Sequence, residues 1–194
     1  MELSRRKLLA LAVAGAAVIV GGAVFACASA PVKRPDGGEG LLPTGASAPD
    51  FQATTKAGEP VRLSALRGHA VVVYFYPKDF TPGCTSEACA FRDAWGKYQS
   101  QNVTIVGVSQ DTEESHRKFV KQHELPFPLA SDEDGAIARS YGVKTSMGID
   151  ARVTFLLGPD GKVVKSWPDV DPGVHATEVL AEAAKLAPAP AAAP

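Results

Sequence analysis

Neither sign of charge is in excess in this chain, whose 20 lysines and arginines meet 21 aspartates and glutamates for a formal net charge of -1. No long basic run is present to track phosphates, so nucleic acid is excluded as a partner. Cysteine is also scarce, with three among 194 residues. No C-x-x-C pair and no histidines at ligand spacing accompany them, which argues against a zinc site. The same absence argues against protein thiol-disulfide exchange, which usually employs close vicinal thiols. No internal repeat is visible. What remains, 45% hydrophobic and 21% charged, is the composition of a soluble globular protein with one core.

Long apolar runs are missing except at the start. Residues 1–30, "MELSRRKLLALAVAGAAVIVGGAVFACASA", have a charged beginning, an apolar stretch from Leu8 to Ala30 and small residues at the end, which together read as an export segment. Ser4 to Leu9 resemble a twin-arginine signal, which implies passage across the membrane in folded form. Three fates are open. Val24-Phe25-Ala26-Cys27 resembles a bacterial lipobox with Cys27 as the lipidated residue; an uncleaved segment of about 20 apolar residues is enough to span a bilayer; or the chain is cut after Ala-Cys-Ala or Ala-Ser-Ala. Each predicts an exported bacterial protein, periplasmic or membrane-anchored. Residues 31–42 read as a Pro- and Gly-rich linker, 43–187 as the folded domain and 188–194 as a disordered tail.

Within the domain, Phe51–Thr54 and Val61–Leu63 flank "KAGE" as a hairpin, with Ser64 capping a turn that Gly68 closes. "AVVVYFY" (70–76) predicts a strand buried on both faces, followed by one helix over 81–101 and a strand over 103–108. Asp111 and Glu114 mark the start of the next helix as a capping pair, and "SDEDGAIARSYGV" predicts a short helix closed by Gly142. "RVTFLL" and "KVVKSW" bracket "GPDG" as a second hairpin before a last helix in "VHATEVLAEAAKLA". This order predicts an α/β fold of thioredoxin-like type, a mixed central sheet with helices on both faces.

The thiols are informative by position. Thr81 is a good N-cap and Pro82 suits the first helical position, so Cys84 falls in the first turn, where free backbone N–H groups favour a thiolate. Ala88, Phe91, Trp95 and Tyr98 share an apolar stripe with it. Cys89 is rotated by about 140° and displaced by about 7.5 Å along the axis, which places the two Cα atoms about 8 to 9 Å apart in an intact helix. A disulfide needs less than about 7 Å, so the pair joins only after the first turns unwind.

The stretch "YFYPKDFTPGCTSEAC" resembles the P-x-x-x-T-x-x-C signature of the peroxiredoxins through Pro77, Thr81 and Cys84, and its second cysteine, Cys89, resembles their bacterioferritin comigratory protein (PrxQ) branch. The likeness continues through "GASAPDFQATTKAGEPVRLSALRG", "VGVSQDTEESHRKFVKQHELPFPLASDEDGAIARSYGV" and "RVTFLLGPDGKV". It implies thiol-dependent reduction of hydrogen peroxide and organic hydroperoxides, with Cys84 as peroxidatic and Cys89 as resolving cysteine. It further implies that Thr81 hydrogen-bonds the thiolate or peroxide, that Pro77 shields the pocket and that Arg152 stabilises the thiolate. A thioredoxin-like dithiol donor, no cofactor and a monomer are expected. Two rivals stand beside it: an exported thiol-disulfide oxidoreductase, and a lipid-anchored binding domain with incidental thiols. His69, His116, His123 and His175 are expected in surface or structural roles, and Glu87 as a favourable charge at the positive helix end in preference to its alternative, a group that tunes Cys84.

Overall fold

The β-branched and aromatic runs become strands, as their propensities predict. A computed structural model describes residues 30–186. The expected export segment with Cys27, except Ala30, and the C-terminal tail lie outside the described residues.

The chain forms β1 (Gln52–Thr54), β2 (Pro60–Arg62), a 3-10 turn (Leu63–Leu66), β3 (Ala70–Phe75) and α1 (Pro82–Asp93). Next come α2 (Trp95–Ser100), β4 (Val103–Ser109), α3 (Glu113–His123), β5 (Leu129–Ser131) and α4 (Ala136–Tyr141). A small hairpin of β6 (Thr145–Ser146) and β7 (Ile149–Asp150) precedes β8 (Val153–Leu157), β9 (Val163–Trp167) and α5 (His175–Ala183). Seven strands make one sheet in the order β2-β1-β5-β4-β3-β8-β9. β3 runs parallel to β4 and antiparallel to β8, so the sheet is mixed.

β3 is central and buried at every position. Its alternate side chains serve two cores, because successive strand residues point to opposite faces. Val72 and Tyr74 join Cys84, Phe91, Tyr98, Phe119 and Val179, from α1, α2, α3 and α5. Val71, Val73 and Phe75 join Phe155, Ala138 and Tyr141 on the other side, under α4. Helices therefore cover both faces, as the βα alternation predicted.

Four local expectations are corrected. The single helix over 81–101 is two, joined at Ala94 (φ −89°, ψ −2°), which caps the end of α1 and the start of α2 just before Gly96, a poor helix former. Trp95 is consequently only half-buried, packed against the core rather than within it. The cap of α3 is Thr112, whose hydroxyl accepts from the Ser115 N–H at 3.2 Å, while Asp111 turns away to accept from the Asp79 N–H at 2.8 Å. Ser64 lies inside its turn and is tied to Asp50 through both its N–H and its hydroxyl. Thr81 occupies the N-cap position of α1, but its hydroxyl donates backward to the Lys78 carbonyl at 2.9 Å.

Residues 31–42 make defined contacts with the domain. Arg34 folds the segment on itself by donating to the carbonyls of Glu39, Gly40 and Leu41, and the Leu42 N–H reaches the domain at the Tyr141 carbonyl, 2.9 Å away. Gly142, at φ +71°, permits this approach, since a Cβ there would lie 1.8 Å from the Gly40 carbonyl oxygen.

Gly107 of β4 does similar work beneath the main core. A Cβ at that position would meet Tyr74 at 2.8 Å and Leu129 at 2.6 Å, and both side chains are fully enclosed. Tyr74 in turn stacks on Tyr76 and on Phe91 of α1. Gly107→Ala is therefore expected to lower unfolding stability by about 1 to 3 kcal/mol, measured by urea denaturation, and an unchanged midpoint would show that the Tyr74 ring has room to retreat.

Candidate active site

The site is assembled where β3 ends, a short loop turns and α1 begins. Pro82 stands at the first helical position and Cys84 at the third, as the capping logic requires. Cys84 is 1% exposed and lies in the main core with Ala88 and Phe91 from the same face of α1. Its sulfur thus has the backbone N–H end of a twelve-residue helix on one side and apolar packing on the other.

Arg152, one residue before β8, supplies the positive charge. Its Nη2 donates to the Cys84 Sγ at 3.2 Å, and its Nη1 donates to the Glu87 carboxylate. Glu87 sits one turn beyond Cys84 on α1 and has no exposed surface. Burial pushes its carboxyl up to about 7, against the pull of the guanidinium. The carboxyl therefore exchanges a proton near neutrality while the guanidinium stays charged, and Arg152 is held at both ends. Glu87 is thus a buried partner of Arg152, which places it nearer the second of its two sequence readings, a group that acts on Cys84, than the preferred one of a helix-end charge; its burial was invisible to a one-dimensional count of turns.

The loop before α1 is pinned from behind. Asp79, almost fully buried, accepts from the Tyr76 hydroxyl at 2.8 Å and from the Ser115 hydroxyl at 2.7 Å. His116 Nδ1 lies 2.9 Å from the same carboxylate, and its Nε2 lies 3.2 Å from the Ala130 carbonyl. These bonds tie residues 76–79 to α3 and β5, so the loop carrying Pro77 and Thr81 is rigid at its centre. Phe80, between them and the helix, adopts φ +61° and rests its ring edge-on against Phe119 at 5.1 Å.

Cys89 points elsewhere. It is half-buried and its Sγ lies 3.9 Å from the Nδ1 of His123, at the end of α3. Both thiols are free and belong to one unbroken helix. His175, at the start of α5, packs edge-on to Phe91, and its Nε2 lies 2.7 Å from the Thr154 hydroxyl. Burial, aided by the charge of Arg152, lowers His175 to about 4, so it is neutral at physiological pH.

Among the residues singled out in the sequence, the fold brings Cys84 and Arg152 into contact, places Thr81 and Pro77 half-buried in the adjoining loop, and keeps Cys89 on another face of α1. Asp79, Ser115, Tyr76 and the pairing of His123 with Cys89 were missed. Their partners are 3 to 40 positions apart in the chain, and no local spacing announces them.

The profile of the AhpC/TSA family matches residues 44–166. Peroxiredoxin Bcp of Bacillus subtilis is 42% identical over 144 residues, covering 70% of this chain and 91% of that protein. Among solved structures, peroxidoxin BcpB from Mycobacterium tuberculosis matches with a TM-score of 0.69 and 34% identity over 75% of this chain and 98% of its own. The bacterioferritin comigratory protein of Xanthomonas campestris, studied for alkyl peroxide reduction, matches with a TM-score of 0.65 and 37% identity over 71% of this chain and 92% of its own. A buried thiol at a helix start, clamped by arginine, is what thiol peroxidase chemistry requires, and by profile, sequence and fold alike the chain belongs to the AhpC/TSA family as a peroxiredoxin of the Bcp/PrxQ kind.

Proposed function

We propose that Cys84 is the peroxidatic cysteine of a cycle completed within one chain, with hydrogen peroxide and organic hydroperoxides as substrates. The observation that carries this reading is the Arg152 Nη2 at 3.2 Å from the Cys84 Sγ, in the first turn of α1. Organic hydroperoxides are included because alkyl peroxide reduction is the activity studied in the Xanthomonas campestris relative.

The Cys84 thiolate attacks one peroxide oxygen, the O–O bond breaks, and the departing oxygen takes a proton to leave as water or an alcohol. Arg152 stabilises the thiolate beforehand and the developing oxyanion during the step, which is where fixed donors lower a barrier most. The Thr81 hydroxyl has committed its proton to Lys78, so its oxygen is left to accept a hydrogen bond from the peroxide O–H rather than to donate to the thiolate. Pro77 limits water at the rim. The resulting Cys84 sulfenic acid is attacked by Cys89 once the start of α1 unwinds, giving a disulfide and water. A thioredoxin-like dithiol protein then reduces the disulfide.

We place this cycle outside the bacterial cytoplasm, on the strength of the charged, then apolar, then small-residue pattern of residues 1–30. The domain is either tethered through Cys27 lipid or an uncleaved segment, or released by cleavage.

Peroxide consumption with a thioredoxin system is expected to vanish in Cys84→Ser. Cys89→Ser is expected to react once and stall with a sulfenic acid that dimedone traps. A wild-type protein that consumes no peroxide with any thiol donor would overturn the cycle and leave protein disulfide exchange as the activity to test.

Glu87 gives the cycle a pH signature. Below about pH 7 its carboxyl is protonated and resembles an amide; above it, the carboxylate offsets part of the Arg152 charge at the sulfur. The ratio of the Glu87→Gln to the wild-type rate constant for peroxide is therefore expected to be near one at about pH 6 and to rise several-fold by about pH 8 in single-turnover kinetics. A flat or falling ratio assigns Glu87 to holding Arg152 in place alone.

Mass spectrometry of the protein from membrane and periplasmic fractions is expected to find a lipid-modified Cys27, a new N-terminus within the first 30 residues, or an intact Met1 in the membrane alone. An intact Met1 found in the cytoplasmic fraction and nowhere else rules export out.

A further inference from the structure

We infer that His123 is the general base for disulfide formation, taking the proton from Cys89 as it attacks the Cys84 sulfenic acid. This assignment rests on Cys89 being the resolving thiol. A thiol is a weak nucleophile until it loses its proton, and histidine is the side chain suited to exchange one near neutral pH. The His123 Nδ1 lies 3.9 Å from the Cys89 Sγ, a hydrogen-bond distance for sulfur, across 34 residues of chain.

The surroundings hold this pair together. The His123 ring meets Phe119 edge-to-face with centroids 4.9 Å apart, and Phe80 flanks it at 6.4 Å. Among the described residues its ring nitrogens have no other hydrogen-bond partner than Cys89. Arg92, one turn after Cys89, donates to the His123 carbonyl at 2.9 Å and so ties α1 to the last turn of α3. The Arg92 guanidinium is paired with Asp93 on α1 at 2.8 Å, and it is also attracted to a charged Cys89 and to Glu124 just past α3. A thiolate formed there has a cation beside it before the helix opens.

The step balances as follows. The Nε2–H tautomer of His123 offers its Nδ1 lone pair to the Cys89 proton, and the sulfur electron pair freed by this attacks Cys84. A bond forms between the two sulfurs, the S–O bond of the sulfenic acid breaks, and the leaving hydroxide recovers the proton from the imidazolium as water. Cys89 is oxidised, the sulfenic sulfur is reduced to the disulfide level, and His123 returns to neutral. Neither peroxide cleavage nor Cys84 needs it.

The test follows the second step separately from the first, on the full chain. After one equivalent of hydrogen peroxide, samples are quenched over time with dimedone and an alkylating agent, and sulfenic acid and Cys84–Cys89 disulfide are counted by mass spectrometry. His123→Phe keeps a ring against Phe119 and Phe80, and His123→Gln keeps a polar group of similar reach. Folding of each is checked by circular dichroism. Both are expected to form the disulfide about ten-fold more slowly than wild type near pH 7, with the gap closing near pH 9, where solvent hydroxide removes the thiol proton unaided. An unchanged rate near pH 7, or equal slowing at every pH, overturns the assignment, the latter by showing that His123 only packs. Absence of a Cys84–Cys89 disulfide in the wild type instead overturns the role of Cys89 itself, a separate result visible before any variant is made.

Discussion

The guanidinium of Arg152 joins two groups that could not occupy their places without it. Glu87 is a carboxylate with no exposed surface, and Cys84 is a thiol in an apolar core; each charged form is costly there unless a cation is near. One planar fork serves both, with Nη1 on the carboxylate and Nη2 on the sulfur. Because Glu87 and Cys84 are three residues apart on α1 and Arg152 precedes β8, the same contacts fix the rotation of the helix against the central sheet. The charge at the Cys84 sulfur and helix docking are therefore one feature here, and a lysine in place of Arg152 has no geometry to serve both partners.

The second constraint is the buried polar cluster around Asp79. A loop that ends in an active-site helix is ordinarily mobile, yet residues 76–79 are anchored by Tyr76, Ser115, His116 and Asp111. Every partner comes from β3, β4 or α3 and the segments beside them, so the loop leading to Cys84 is anchored to the sheet. The helix that follows is the opposite case: both thiols lie on it, and its own intact geometry keeps them apart.

The sequence disclosed what is local and periodic. The run "AVVVYFY" announced a strand buried on both faces, and Thr81-Pro82 announced the start of α1 and the placement of Cys84 within its first turn. It misjudged details that neighbours decide. Thr112 captured the cap of α3 because Asp111 was drawn to Asp79, and Ala94 interrupted a helix whose apolar stripe read as continuous. In the site, Cys84 was picked out by its place in the first helical turn, but Arg152 was named only through resemblance, since nothing about an arginine at the start of a strand marks it as meeting a thiol 68 positions earlier. Glu87 was noticed as a charge able to tune Cys84 but its burial was not foreseen, and the contact of Cys89 with His123 depends on how α1 and α3 pack, which no pattern in either helix encodes.

Phe80 carries a consequence of its own. A bulky residue at φ +61° sits in the left-handed region at a cost on the order of 1 kcal/mol, sustained by its edge-on contact with Phe119. It stands immediately before the segment that loosens in the proposed cycle so that the two sulfurs can meet. In that cycle the closed site would be slightly spring-loaded: freeing residues 80 to 84 would relax the backbone torsion, and a strain of this size would favour opening by roughly five-fold over a site with a relaxed residue at the same place.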